Sequence, residues 1–183
     1  MIGVGFGAGR GAFENGEASP FYLAGETEST YRDGVSPQIR FGRMLGEHFQ
    51  AGVSYEAWLI EFGVVAPDMP DKVRRTIQNL SFAFALFPGN QRGASGGIFL
   101  RAGAGLGWVG TGVKEVPIGE PQDEGERKDE WGVGVFAEGG YEFWIAKHLT
   151  AGLGATFNYF DIGEEIVDRA WFGAVVFNVN LYF

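Results

Sequence analysis

The sequence predicts an all-β protein, an eight-stranded antiparallel up-and-down transmembrane β-barrel, with residues 1–183 forming a single domain. Three observations carry this expectation. Eight segments alternate apolar with small or polar residues at the two-residue period of a strand. Short and long connections alternate between them, as in a meander of hairpins. Glycines, amides and charges take the register opposite the apolar one, so the apolar side of each strand faces outward into lipid.

The first strand, Ile2 to about Phe13, sets Ile2, Val4, Phe6 and Ala8 against Gly3, Gly5, Gly7 and Gly9. The second, about Val35 to Leu45, sets Val35, Ile39 and Phe41 against Ser36, Gln38, Arg40 and Gly42, and a tight turn near Gly46 follows. In the third, Phe49 to about Phe62, the outward set is Phe49, Ala51, Val53, Tyr55, Ala57 and Leu59, and the inward set is Gln50, Gly52, Ser54, Glu56 and Trp58. A Pro-rich turn, Ala66 to Asp71, leads to a fourth strand from about Val73 to Phe87, with Leu80, Phe82, Phe84 and Leu86 outward and Asn79, Ser81, Ala83 and Ala85 inward.

The fifth strand, Ile98 to about Gly110, has Leu100, Ala102, Ala104, Leu106 and Trp108 outward and Arg101, Gly103, Gly105 and Gly107 inward. The sixth, Trp131 to Phe143, repeats this with Val133, Val135 and Tyr141 against Gly134, Phe136, Glu138 and Glu142. The seventh, Leu149 to Phe160, opposes Leu149, Leu153 and Phe157 to Thr150, Thr156 and Asn158. The eighth, Ala170 to Phe183, alternates Trp171, Gly173, Val175, Phe177, Val179, Leu181 and Phe183 with a face carrying Asn178 and Asn180. Glu47-His48-Phe49-Gln50-Ala51-Gly52-Val53 is echoed by Lys147-His148-Leu149-Thr150-Ala151-Gly152-Leu153, each opening a strand after a short turn.

Segments of about 10 residues suit a tilted bilayer crossing. Eight of them close a barrel only wide enough inside for side chains, and closure leaves no edge unpaired in hydrocarbon. The links near Gly46, Pro88 to Gly97 and Ile145 to Lys147 are expected on the periplasmic side, and Glu14 to Gly34 and Thr111 to Glu130 as outer loops. Outward aromatics form two expected girdles: Tyr55, Trp108, Trp131, Tyr159 and Trp171 at the loop side, and Phe41, Phe49, Phe87, Phe143 and Phe183 at the turn side.

Inside, Arg40, Glu56, Arg101 and Glu138 fall at similar depths and are expected to form a salt-bridge cluster, since unpaired charges there are costly. Trp58, Phe99, Phe136, Phe160, Phe172 and Tyr182 face glycine columns and fill the space these leave, so the lumen is expected to be closed.

Composition removes several classes. A net charge of −9 and a pI near 4.7 oppose nucleic-acid binding. No run approaches the roughly 20 apolar residues of a membrane helix, and no signal peptide precedes the first strand, so a mature form is expected. His48 and His148 both open strands with no serine beside them, which gives no catalytic residues. With no cysteine and two isolated histidines, no metal site and no cofactor are expected. The runs Gly3 to Gly7 and Gly103 to Gly107 lack the following helix of a phosphate cradle and are strand glycines. The acidic run Glu120 to Glu130 is expected as a solvated loop, with divalent cations beside lipopolysaccharide the other reading, and Lys72, Arg74 and Arg75 are placed to touch lipid phosphates.

On these features the chain resembles the small eight-stranded outer-membrane barrels of Gram-negative bacteria, the OmpA/OmpX-like class, along essentially its whole length. The ending Asn178-Val179-Asn180-Leu181-Tyr182-Phe183 is similar to the family's C-terminal assembly signal, carried by Phe177, Val179, Leu181 and Phe183. The resemblance implies an outer-membrane location, partners among outer-membrane lipids, lipopolysaccharide and the barrel-assembly machinery, and a monomer. It points to a non-enzymatic structural or adhesive role exerted through the outer loops. A small-solute or hydrophobic-compound conduit of the OmpW-like kind is the alternative reading, and a lipid A-modifying enzyme a third.

Overall fold

The computed structural model describes residues 1–15, 32–66, 69–89, 96–114, 127–163 and 167–183, with side chains except at 15, 61–74 and 111–128. The eight strands are β1 (Ile2–Asn15), β2 (Arg32–Met44), β3 (Phe49–Ala66), β4 (Met69–Leu86), β5 (Gly97–Lys114), β6 (Arg127–Ala146), β7 (Leu149–Asp161) and β8 (Val167–Leu181). Each pairs antiparallel with its sequence neighbours, and β1 pairs with β8, closing the barrel. Both termini lie at the turn side, where Met1 exchanges backbone hydrogen bonds with Gly42. Among the described residues no helix is long and apolar enough to cross a membrane, a fact silent about strands.

The expected faces are observed. Phe82, Phe84, Leu106 and Val175 stand exposed on the outside, while Arg40, Glu56, Arg101, Glu138, Asn178 and Asn180 are buried. The two-residue period produces this directly, because one face of each strand is apolar and closure sends the other inward.

Four strands are longer than the sequence pattern suggests: β3, β4 and β5 have 18 residues and β6 has 20. The proposed Pro-rich turn is mostly strand, since Ala66 pairs with Met69 and only 67 and 68 lie between them, outside the described residues. Beyond the bilayer an outward position has no need to be apolar, so charged and proline-bearing strand ends read as loop. The expected outer loops shorten accordingly, and their remaining residues, 16–31 and 115–126, lie outside those described.

At the loop-side aromatics the sidedness inverts. Toward the turns, apolar groups point out, and the inward side carries the buried polar and charged groups beside a small cluster of Ala85, Phe87 and Phe99. At and beyond Tyr55, Trp108 and Trp131 the inward positions hold a buried apolar cluster including Phe13, Trp58, Ile60, Ile77, Val109, Phe160 and Phe172. Outward positions there carry exposed ions: Arg10 pairs with Asp33 at 2.8 Å, and Arg169 with Glu14 at 3.6 Å. This end is arranged as in a water-soluble barrel.

Three placements correct the sequence reading. Phe87 is buried against Ala85 and Phe99 rather than standing in the turn-side girdle, because it continues the inward register of Asn79, Ser81, Ala83 and Ala85. Arg75 is inward and 3% exposed, its guanidinium 4.8 Å from the Phe13 ring centre, so it does not face lipid phosphates; the side chains of Lys72 and Arg74 lie outside the described residues. Glu130 belongs to β6 rather than to a solvated loop, and its buried carboxylate accepts the Val167 N–H at 2.9 Å.

Candidate functional site: the lumen

The lumen is built in three tiers, each set by strand register. In the middle tier Arg101 on β5 is directly opposite Glu138 on β6. Arg101 Nη1 donates to Glu138 Oε2 at 2.8 Å. Arg40, on β2 across the barrel, reaches the same oxygen with Nη2 at 2.7 Å. The crossing is possible because β1 offers glycine at inward positions; a Cβ at Gly5 would come within 3.1 Å of Val176 Cγ1 and 3.2 Å of Gln38 Oε1. Asn178 completes the arrangement, accepting from Arg40 Nη1 at 2.8 Å and donating to Glu138 Oε1 at 3.1 Å, and Arg40 also donates to Gln38.

Glu56 sits beside this cluster without a described ion-pair contact. It accepts hydrogen bonds from Asn158 at 3.1 Å, Ser54 at 3.2 Å and Gln38 at 3.5 Å. Of the four charged residues singled out in the sequence, the structure therefore joins Arg40, Arg101 and Glu138 directly and ties Glu56 in through Gln38. A buried carboxylate surrounded by donors avoids the full cost of desolvation.

The turn-side tier centres on Glu142, which sequence reasoning placed inward but assigned no role. It accepts from Asn180 at 2.9 Å, Tyr182 at 3.0 Å and Thr150 at 3.2 Å, and Arg101 lies 3.9 Å away. The signal available in the sequence was its register, four residues beyond Glu138.

The loop-side tier is an aromatic plug. Phe13 stacks on Trp58 at 5.6 Å, Trp58 on Phe172 at 5.5 Å, and Phe172 on Phe160 at 6.1 Å. Glycines make room for the rings: a Cβ at Gly11 would lie 2.6 Å from Trp58, and one at Gly107 2.7 Å from Phe160. Rings and charges thus occupy the lumen at each of these tiers.

On the outer surface Trp108 stacks on Trp131 at 5.1 Å and lies 6.1 Å from Tyr55, whose hydroxyl donates to Gln78 at 2.6 Å. Tyr159 and Trp171 pair across β7 and β8 at the same level. Phe177, Leu181 and Phe183 are exposed on the outer face, and Val179 shares their register. His48 and His148 are exposed at the turns, and the His48 Nδ1–H donates to the Phe87 carbonyl at 2.9 Å. Among the described residues no group of His, Asp or Glu is placed to hold a metal ion.

No protein-family model matches the chain, and no curated protein matches it. Among solved structures it is similar to Neisserial surface protein A, NspA, with a TM-score of 0.54 at 16% identity over 100% of this chain and 97% of that one. It is also similar to Ail, the attachment invasion locus protein of Yersinia pestis, with a TM-score of 0.53 at 8% identity over 97% of each chain. The chain has the fold of the small eight-stranded outer-membrane barrels.

Proposed function

We propose that the chain is an integral outer-membrane barrel without enzymatic activity, acting structurally or in surface interaction through its loop side, with its lumen closed. One observation carries this reading: between the two aromatic levels the apolar face is outside and the charged face is buried, an arrangement that water would penalise and hydrocarbon rewards. The similarity in fold to a surface protein and an attachment protein supports the same kind of role. The exposed ions beyond the loop-side aromatics suit a rim standing in water.

The conduit reading needs a continuous passage, and the Arg40–Glu138–Arg101 cluster and the Trp58 plug argue against one. The enzyme reading needs a nucleophile or base facing substrate, and no such pair occurs among the described residues around His48 or His148. In planar bilayers the refolded protein is expected to give no sizeable steady current, and its expression in a Gram-negative host to leave the lipid A mass spectrum unchanged. A sustained current would favour the conduit, and a new lipid A species the enzyme.

A further inference from the structure

The seam between β2 and β3 is paired unevenly. From Met44↔Gln50 to Gln38↔Glu56 every row is paired, but beyond them only Val35↔Leu59 is, although β2 runs on to Arg32 and β3 to Ala66. The other edges of both strands are held: β1 pairs with β2 up to Gly11↔Arg32, and β3 with β4 up to Ala66↔Met69. The register is the same on both sides of the gap, so Ser36 stands opposite Trp58 and Pro37 opposite Ala57 with no bulge between them.

Proline is the cause. Met1 and Gly42 exchange both of their backbone hydrogen bonds, so alternate residues counted from Gly42 turn their peptide groups toward β1, and Pro37 turns its own toward β3. Pro37 has no N–H, and the Ala57 carbonyl facing it receives no donor from β2. Two side chains at the gap are stranded with it. Ser36 Oγ and Trp58 Nε1 are buried, and neither has a hydrogen-bond partner among the described residues. The Trp58 indole reaches across the gap, since a Cβ at Gly34 on β2 would collide with Nε1.

The gap begins two rows past Ile39↔Tyr55, where the outer wall changes from apolar side chains to the exposed pair of Arg10 and Asp33. Closed, this stretch leaves three buried polar groups unsatisfied; parted, it gives up one backbone pair and lets water bond all three. The balance favours frequent opening.

We propose that the loop-side half of the β2–β3 seam is a hinged slit: from Pro37 to Arg32, β2 parts from β3 while staying paired with β1, and water enters to meet Ser36, Trp58 and the Ala57 carbonyl. The slit reaches the aromatic tier and ends there, because the rows from Gln38↔Glu56 toward the turns stay paired beside the ionic tier. Water outside the wall at this level follows from the membrane-barrel reading above.

Residue-resolved amide hydrogen exchange of the full chain refolded into lipid vesicles tests this. The Leu59 amide, paired but alone, is expected to exchange about a hundredfold faster than the Tyr55 amide four residues away on the same strand. Pro37→Val restores the missing N–H and is expected to bring Leu59 close to Tyr55. A thiol probe reads the same opening: Ser36→Cys is expected to react with a water-soluble methanethiosulfonate, while Ser54→Cys, inward on β3 among paired rows, stays unreactive. Equal protection of Leu59 and Tyr55 in wild type, an unchanged Leu59 rate in Pro37→Val, or an inert Ser36→Cys overturns the proposal. Val53→Cys on the outer face separates two failures: its reaction with the same reagent removes the membrane reading, whereas an inert Val53→Cys beside a protected Leu59 removes only the slit.

Discussion

At the scale of single residues, Glu138 decides the state of the lumen. One of its oxygens takes both Arg40 and Arg101, and the other takes Asn178. Replacing it with glutamine leaves the buried Arg40 guanidinium without its counter-ion and Arg101 with only Glu142 at 3.9 Å, a loss of about 3–5 kcal/mol. Glu138→Gln should therefore lower the urea midpoint for unfolding from lipid vesicles well below wild type. Arg10→Ala, which breaks the exposed pair with Asp33, should leave that midpoint unchanged. An unaltered midpoint in Glu138→Gln would mean that the cluster does not hold the barrel together. The inward facing of Arg40, Glu56, Arg101 and Glu138 was legible from alternation alone, because one strand's pattern settles which way its side chains point. It could not say which carboxylate would serve both arginines: that depends on distances across the barrel, set by glycines on β1 and asparagines on β8.

At the scale of the element, a single strand crosses two solvents. β6 runs from exposed Asp129 past Trp131 to Val133, Val135 and Ala137, all on one face. Alternation was legible where lipid demands apolar residues and illegible where water does not, so the ends of β3 to β6 read as loops and the Pro70 region as a turn. Phe87 and Arg75 were misplaced for a related reason: aromatic and basic residues near an interface suit either face, and register alone separates them. The inversion makes a positional prediction. Val135→Arg should cost about 2–4 kcal/mol in vesicle-embedded protein, while Asp129→Arg on the same face should cost about 0–1 kcal/mol. Equal costs at the two sites, measured by reversible urea unfolding, would place both in one solvent.

At the scale of the whole molecule, the fold is in effect two barrels joined end to end. The turn-side part has a polar, ionic centre and an oily wall; the loop-side part has an aromatic centre and an ionic wall. Both centres place side chains across the lumen, and the boundary between them coincides with the Tyr55, Trp108 and Trp131 level. The closed topology satisfies the backbone in hydrocarbon without help from lipid. The most direct test places spin labels at Asp129, Val133, Val135 and Ala137 in liposomes and compares relaxation by lipid-soluble oxygen with relaxation by a water-soluble nickel chelate. Oxygen contact is expected at Val133, Val135 and Ala137, and chelate contact at Asp129. Chelate contact at all four positions would mean that this wall faces water and that the barrel does not cross a membrane.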